Sequence, residues 1–109
     1  MTSRMYIAIL DDFPDYMTPT LVAHSMLNAH IKFQDDQVYK EWLENDFRKC
    51  TVRVSKKEFS KISNLDKVHL GHENRTMNAE KACAIVCPYP SDGDIPNVLK
   101  YAKLWSPKV

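Results

Sequence analysis

Three consecutive pieces decide the fold of this chain. They are the apolar run Met5-Tyr6-Ile7-Ala8-Ile9-Leu10, the acidic turn Asp11-Asp12-Phe13-Pro14-Asp15, and the segment Met17-Thr18-Pro19-Thr20-Leu21-Val22-Ala23-His24-Ser25-Met26-Leu27. The first run is nearly all apolar, as a central strand buried on both faces requires. Pro14 and Asp15 break its regularity. Thr18 reads as an N-cap with Pro19 at the first helical position, where a missing N–H costs nothing. The periodicity predicts a helix to about His30, with Val22, Met26 and Ala29 as its apolar stripe, Ala23 and Leu27 beside it, and His24 on a polar margin with Thr20 and Asn28. In open α/β sheets ligands bind outside the carboxyl ends of the strands. A histidine in the helix just after such an edge is the leading candidate for chemistry; a helix-margin histidine without a role is the competing reading.

The rest of the chain repeats the alternation. A second helix is predicted at 36–47, with Val38, Tyr39, Trp42, Leu43 and Phe47 on its apolar face. The strand Cys50–Val54 follows, then Ser55-Lys56-Lys57-Glu58, a capping box that opens a third helix with Phe59, Ile62 and Leu65 inward. A short strand at Lys67–Leu70, a polar loop from Gly71 to Asn78, and the apolar strand Ala82–Cys87 ended by Pro88 come next. A last helix begins at Asp94-Ile95-Pro96, with Ile95, Val98, Leu99 and Ala102 facing the core. Strands alternating with helices predict one α/β domain over residues 1–109, with a mostly parallel sheet and right-handed crossovers.

Composition narrows the function classes. Hydrophobic residues make up 44% of the 109, enough for a real core and against disorder. Apolar runs fall far short of the roughly 20 residues of a membrane helix, and the first strand begins too early for a secretory leader; a cytoplasmic protein without a membrane partner is expected. The odd set Cys50, Cys83 and Cys87 builds no disulfide framework and is read as buried structural thiols. Charge is unevenly spread. Residues 1–47 carry 3 Lys/Arg against 8 Asp/Glu, and residues 48–109 carry 12 against 6. The run Arg48, Lys49, Arg53, Lys56, Lys57 and Lys61 suits phosphates, or is a solvated helix face.

Three constellations could carry chemistry. Asp11, Asp12 and Asp15 could hold a hard cation, but further acids are not placed by sequence, and no metal or other cofactor is assigned. Asp12 at the strand end could orient His24 as a general base. The segment His69 to Asn78, with His72, Glu73, Asn74, Arg75 and Thr76, is too long for a tight turn, and polar loops on a rigid scaffold often bind. Serine elbows, paired CxxC motifs and glycine-rich nucleotide fingerprints are absent from the sequence.

The order of Asp12-Phe13-Pro14, Leu21-Val22-Ala23-His24-Ser25, Trp42 before a basic strand, Ser55 to Glu58, Ile85-Val86-Cys87-Pro88, Asp94-Ile95 and Ala102-Lys103-Leu104 resembles the class of peptidyl-tRNA hydrolases found in archaea and eukaryotes. The resemblance covers nearly the whole chain in patches. It implies a three-layer α/β/α sandwich on a four-stranded mixed, mostly parallel sheet, and metal-free hydrolysis of the ester linking a peptide to tRNA. On that reading His24 is base or water-orienting group, steadied by Asp12 or Glu73, with Thr76 in the site. Lys56, Lys57, Lys61 and Arg75 meet the tRNA, and a homodimer is allowed. The chain departs from the family pattern where a Gly-Lys pair should stand (Tyr16-Met17), where the helix Gln should stand (Leu21), and in the loop that should read Asp-Ala-Gly. The alternative is a relative without activity that binds RNA or a protein.

Overall fold

The computed structural model describes residues 3–72, 81–90 and 93–108. Its elements are β1 (Ser3–Leu10), a 3-10 turn (Asp15–Met17), α1 (Thr18–Phe33), α2 (Gln37–Glu41), a π-helical turn (Trp42–Asp46), β2 (Arg48–Val54), α3 (Lys56–Ser63), β3 (Val68–Gly71), β4 (Cys83–Pro90), α4 (Asn97–Lys100) and β5 (Lys103–Leu104). The strands form one mixed sheet in the order β3-β4-β1-β2-β5. Two expectations need correction here. The sheet has five strands, not four, because the chain after α4 extends and pairs Leu104 with Val52 and Lys103 with Arg53. It is not mostly parallel either. β1 and β2 are parallel, while β1·β4, β2·β5 and β3·β4 are antiparallel.

This order fixes where the ends lie. β1, β2 and β3 point the same way, so Asp11–Asp12, Ser55 and Gly71–His72 sit at one edge of the sheet. β4 runs the other way and begins there, with Ala82 N–H donating to Gly71 O at 2.9 Å and Leu10 N–H to Ala82 O at 2.9 Å. β1 and β4 are buried almost throughout, as central strands must be.

α1 packs on β3 and β4. Its buried stripe is Thr18, Leu21, Ser25, Ala29 and Phe33, a rotation from the predicted Val22–Met26–Ala29 stripe. Val22 and Met26 are half-buried at its flank, and Leu27 is 70% exposed. Contact with β3 selects the face: a Cβ on Gly71 would stand 2.0 Å from Ser25 Oγ, so the helix lies close enough that a small residue must face a glycine. Ser25 Oγ donates to Leu21 O at 2.7 Å, which satisfies the buried hydroxyl. The helix begins one residue earlier than expected. Met17 is the cap, and Thr18 Oγ1 donates back to Pro14 O at 3.2 Å.

The predicted second helix breaks after one turn. Asp36 caps α2, accepting from Tyr39 N–H at 3.1 Å. The chain then widens into the π turn and stops at Phe47, whose left-handed backbone (φ 56°) ends the helix. Tyr39 and Trp42 are buried, and Trp42 Nε1 donates to Arg48 O at 2.7 Å; neither ring is open to a partner at the surface. The capping box at Ser55 and Glu58 is present in both directions, and Phe59 and Ile62 bury beneath α3. The last helix shrinks to one turn, Asn97–Lys100, between Pro96 and Tyr101. Cys83 and Cys87 are both buried, with thiols pushed up to about 12 by burial.

Candidate active site

The cleft at the carboxyl edge is lined by His24, Ser25, Asn28, His69, Leu70, Gly71, His72 and Lys81, around about 200 Å³ of space. Three elements build it. α1 brings His24 and, one turn on, Asn28; both are exposed on the margin beside the buried Ser25. β3 brings His69, and the residue just past its end is His72. Lys81 stands just ahead of β4. The Ser25–Gly71 contact sets the distance between helix and strand, and therefore the width of the cleft.

The electrostatics are one-sided. Lys81 Nζ lies 3.0 Å from His72 Nδ1; an ammonium only donates, so Nδ1 accepts and the ring proton of neutral His72 is on Nε2. His69 is held below the ordinary imidazole value of 6.5, first by burial and then by the cations Lys32 and Lys81. Lys32 reaches the same strand, donating from Nζ to Val68 O at 2.7 Å. Carboxylates are absent from the lining among the described residues. The arrangement offers a neutral imidazole that can take a proton, a hydrogen-bond donor pair on His72 and Asn28, and a cation for an oxyanion or a phosphate.

The structure sorts the sequence candidates. His24 is in the cleft. Asp12 is not: it pairs with Lys56 (3.7 Å), the first residue of α3, and among the described residues no hydrogen bond or ion pair joins it to His24. The switch at the end of β1 sends α1 toward β3 and β4, so His24 leaves the neighbourhood of Asp12. Lys57 and Lys61 are exposed on α3, away from the residues that line the cleft. Glu73, Arg75 and Thr76 lie outside the described residues. Asp11 and Asp15 also turn elsewhere, to Arg53 and Lys108: Arg53 Nη2 donates to Asp15 Oδ1 at 3.2 Å, and Lys108 N–H to Asp15 Oδ2 at 2.6 Å. These interactions hold the Asp15 carboxyl below its ordinary value, the Lys108 N–H foremost. No group of three or more His, Cys, Asp or Glu among the described residues is arranged to hold a metal ion.

Lys81 carries little signal in the sequence. Its one signal is position, a lone cation directly before the apolar run Ala82–Cys87; that it opens at this edge follows from β4 running antiparallel. His69 and His72 are visible as a pair, but their convergence on His24 depends on β3 lying under α1.

No known family model and no curated protein matches this chain.

Proposed function

We infer that this protein is a metal-free ester hydrolase acting on an acyl ester carried by RNA, of the peptidyl-tRNA hydrolase kind, and that its chemistry takes place in the His24 cleft. The observation that carries this reading is the meeting of His24, His69, His72 and Lys81 in one cleft at the carboxyl edge. The sequence lacks the Lys of the family's Gly-Lys pair; Lys81 supplies a cation to the cleft from another element.

The reaction follows from the groups. His24 takes a proton from a water molecule as its oxygen attacks the ester carbonyl carbon. The carbonyl electrons move onto oxygen, and the Lys81 ammonium, fixed by His72, stabilises that oxyanion. Collapse breaks the bond to the ribose oxygen, which receives the proton from the imidazolium. Peptide acid and free RNA hydroxyl leave. The same reading places two helical layers about the sheet, α1 and α2 on the Ser25–Gly71 side and α3 on the Phe59–Ile62 side, and puts the protein in the cytoplasm; no helix among the described residues is long and apolar enough to cross a membrane.

The test is release of N-acetyl-amino acid from N-acetyl-aminoacyl-tRNA by purified protein. Turnover that falls at least 100-fold in His24→Ala and in Lys81→Met, with both variants folded, is the expected result, since a general base contributes typically 10²–10⁴-fold. Turnover unchanged in either variant removes that residue from the mechanism. A second reading rests on Asp12 being held by Lys56: with no described carboxylate to orient His24, the cleft binds RNA without cleaving it. Absent turnover with retained tRNA binding selects that reading.

A further inference from the structure

The opposite end of the sheet carries a feature that the cleft does not use. Arg4 of β1 is the direct neighbour of Arg48 of β2 in the parallel register, and on its other side Arg4 faces Tyr89 of β4. Side chains alternate along a strand. Met5 and Lys49, one residue on, point to the face of the π turn, where Lys49 Nζ lies over the Trp42 and Phe47 rings. Arg4 and Arg48 therefore share the other face, as a row Tyr89–Arg4–Arg48 across three adjacent strands. Both arginines are exposed and Tyr89 is half-buried.

Like charges directly opposite on neighbouring strands are destabilising. The usual remedy is a carboxylate between them, yet neither Arg4 nor Arg48 has an ion pair or a side-chain hydrogen bond among the described residues. Two further details build the row. The β1·β4 register slips between Arg4 and Tyr6: Tyr6 pairs with Val86, so an unbroken ladder would set Pro88 opposite Arg4, and the irregularity brings in Tyr89 with its hydroxyl. Such slips re-aim side chains. The backbone beneath both arginines is also pinned. Ser3 N–H donates to Asp46 Oδ2 at 2.8 Å, and Arg48 O accepts from Trp42 Nε1 at 2.7 Å.

We propose that the row Tyr89–Arg4–Arg48 is a phosphate-binding site. Two planar guanidinium forks on neighbouring strands match the oxygens of one phosphate group, a bidentate partner for each, and the phenol adds a donor. Bound phosphate replaces the repulsion by attraction. Asp66 lines a neighbouring cavity with Tyr89 and forms no ion pair with either arginine among the described residues. The site is independent of the hydrolase reading, since it shares no residue with the cleft.

Thermal unfolding in chloride and in inorganic phosphate, at equal ionic strength and pH 7, tests it on the whole chain. The native protein is expected to melt about 3–8 °C higher in phosphate, by mass action. Arg4→Gln and Arg48→Gln are each expected to melt at or above the native temperature in chloride, because the repulsion is gone, and to lose most of the phosphate increment. A merely structural arginine would move both conditions together. An increment that persists in the double variant is the general salt effect of phosphate and overturns the proposal, as does its absence from the native protein. Arginine Nε–H signals of the native protein, titrated with inorganic phosphate, give a readout free of any variant: two saturating shifts support the site, none overturns it. The source of the phosphate is read with a single-stranded RNA oligonucleotide. A plot of log affinity against log salt that is shallower in the double variant, by about 0.7 for each RNA phosphate the arginines neutralise in the native protein, identifies a nucleic-acid strand. A response to inorganic phosphate without one to RNA identifies a small phosphorylated ligand.

Discussion

Replacing Gly71 by Ala should destabilise the domain and open the His24 cleft, and the size of the effect follows from one close approach. Gly71 has no positive φ, so its backbone suits alanine. With free space, the substitution would stabilise by about 0.4–1 kcal/mol through the unfolded chain. The space is not free: the new Cβ would lie 2.0 Å from Ser25 Oγ, 2.9 Å from Ser25 Cβ and 3.4 Å from Ser25 Cα. The hydroxyl cannot simply rotate away without losing its buried bond to Leu21 O, 2.7 Å, and Ser25 Cβ is itself too near. α1 must lift from β3. Overpacking of this kind costs about 1–3 kcal/mol, and the abandoned hydroxyl adds about 1 kcal/mol. The net expected loss is about 1–3 kcal/mol, a fall in melting temperature of roughly 5–20 °C for a domain of this size. Urea unfolding with an unchanged m-value checks that the loss lies in the folded state. Ser25→Gly leaves Cα as the nearest atom at 3.4 Å, an ordinary separation. In that background Gly71→Ala should cost close to nothing, although Ser25→Gly itself costs about 1 kcal/mol in a helix interior. A Gly71→Ala protein as stable as the native one, or one equally damaged with Ser25→Gly present, would refute the helix–strand approach as the cause and with it the account of what sets the cleft width.

Three further outcomes follow from the same geometry. The folded protein holds His69 below 6.5, first by burial, so the unfolded chain binds more protons as pH falls through that value; stability should decline below about pH 6.5, and His69→Gln should flatten that slope in urea melts between pH 5 and 7. Asp36 is held below its ordinary 3.8, foremost by the Lys67 ammonium 2.6 Å from its Oδ2, so its contribution is complete above that value and lost as pH falls below it; Asp36→Ala should cost about 0.5–2 kcal/mol at pH 7, the usual worth of an N-cap, with Asp36→Asn recovering part of it. Under native conditions at pH 8, iodoacetamide should modify half-buried Cys50 well before Cys83 and Cys87, whose buried thiols sit near 12; mass spectrometry of partly labelled protein reports the order, and early labelling of Cys83 would contradict its burial.

Much of the architecture is local and legible. The apolar runs of β1 and β4, the Ser55–Glu58 capping box and the break at Pro14 each depend on residues close in sequence, so composition and spacing identify them. The errors arise where distant neighbours choose between local options. α1 has two neighbouring stripes that share Ala29, Val22–Met26–Ala29 and Leu21–Ser25–Ala29, and periodicity alone favours the more hydrophobic one. Gly71, far along the chain, selects the stripe with the small residue. The 36–47 helix has strong periodicity, yet burying Trp42 with its Nε1 on Arg48 O widens the turn and ends it at Phe47. The helix predicted from Asp94 carries Ala102 on its core face, but the free edge of β2 offers unpaired backbone groups, and the chain leaves the helix after Lys100 and pairs there.

The candidate site divides along the same line. The sequence by itself determined that a histidine follows the first strand–turn unit, that imidazoles cluster before the last long strand, and that a basic segment surrounds β2, because residue type and spacing are properties of the chain. Strand order was beyond it. Only the tertiary structure decided that β3 lies beneath α1 and that β4 enters antiparallel, since these depend on hydrogen bonds between strands that are distant in sequence. That order brings Lys81 to His24 and His72, and it separates Asp12 from His24, although those two are near neighbours in sequence.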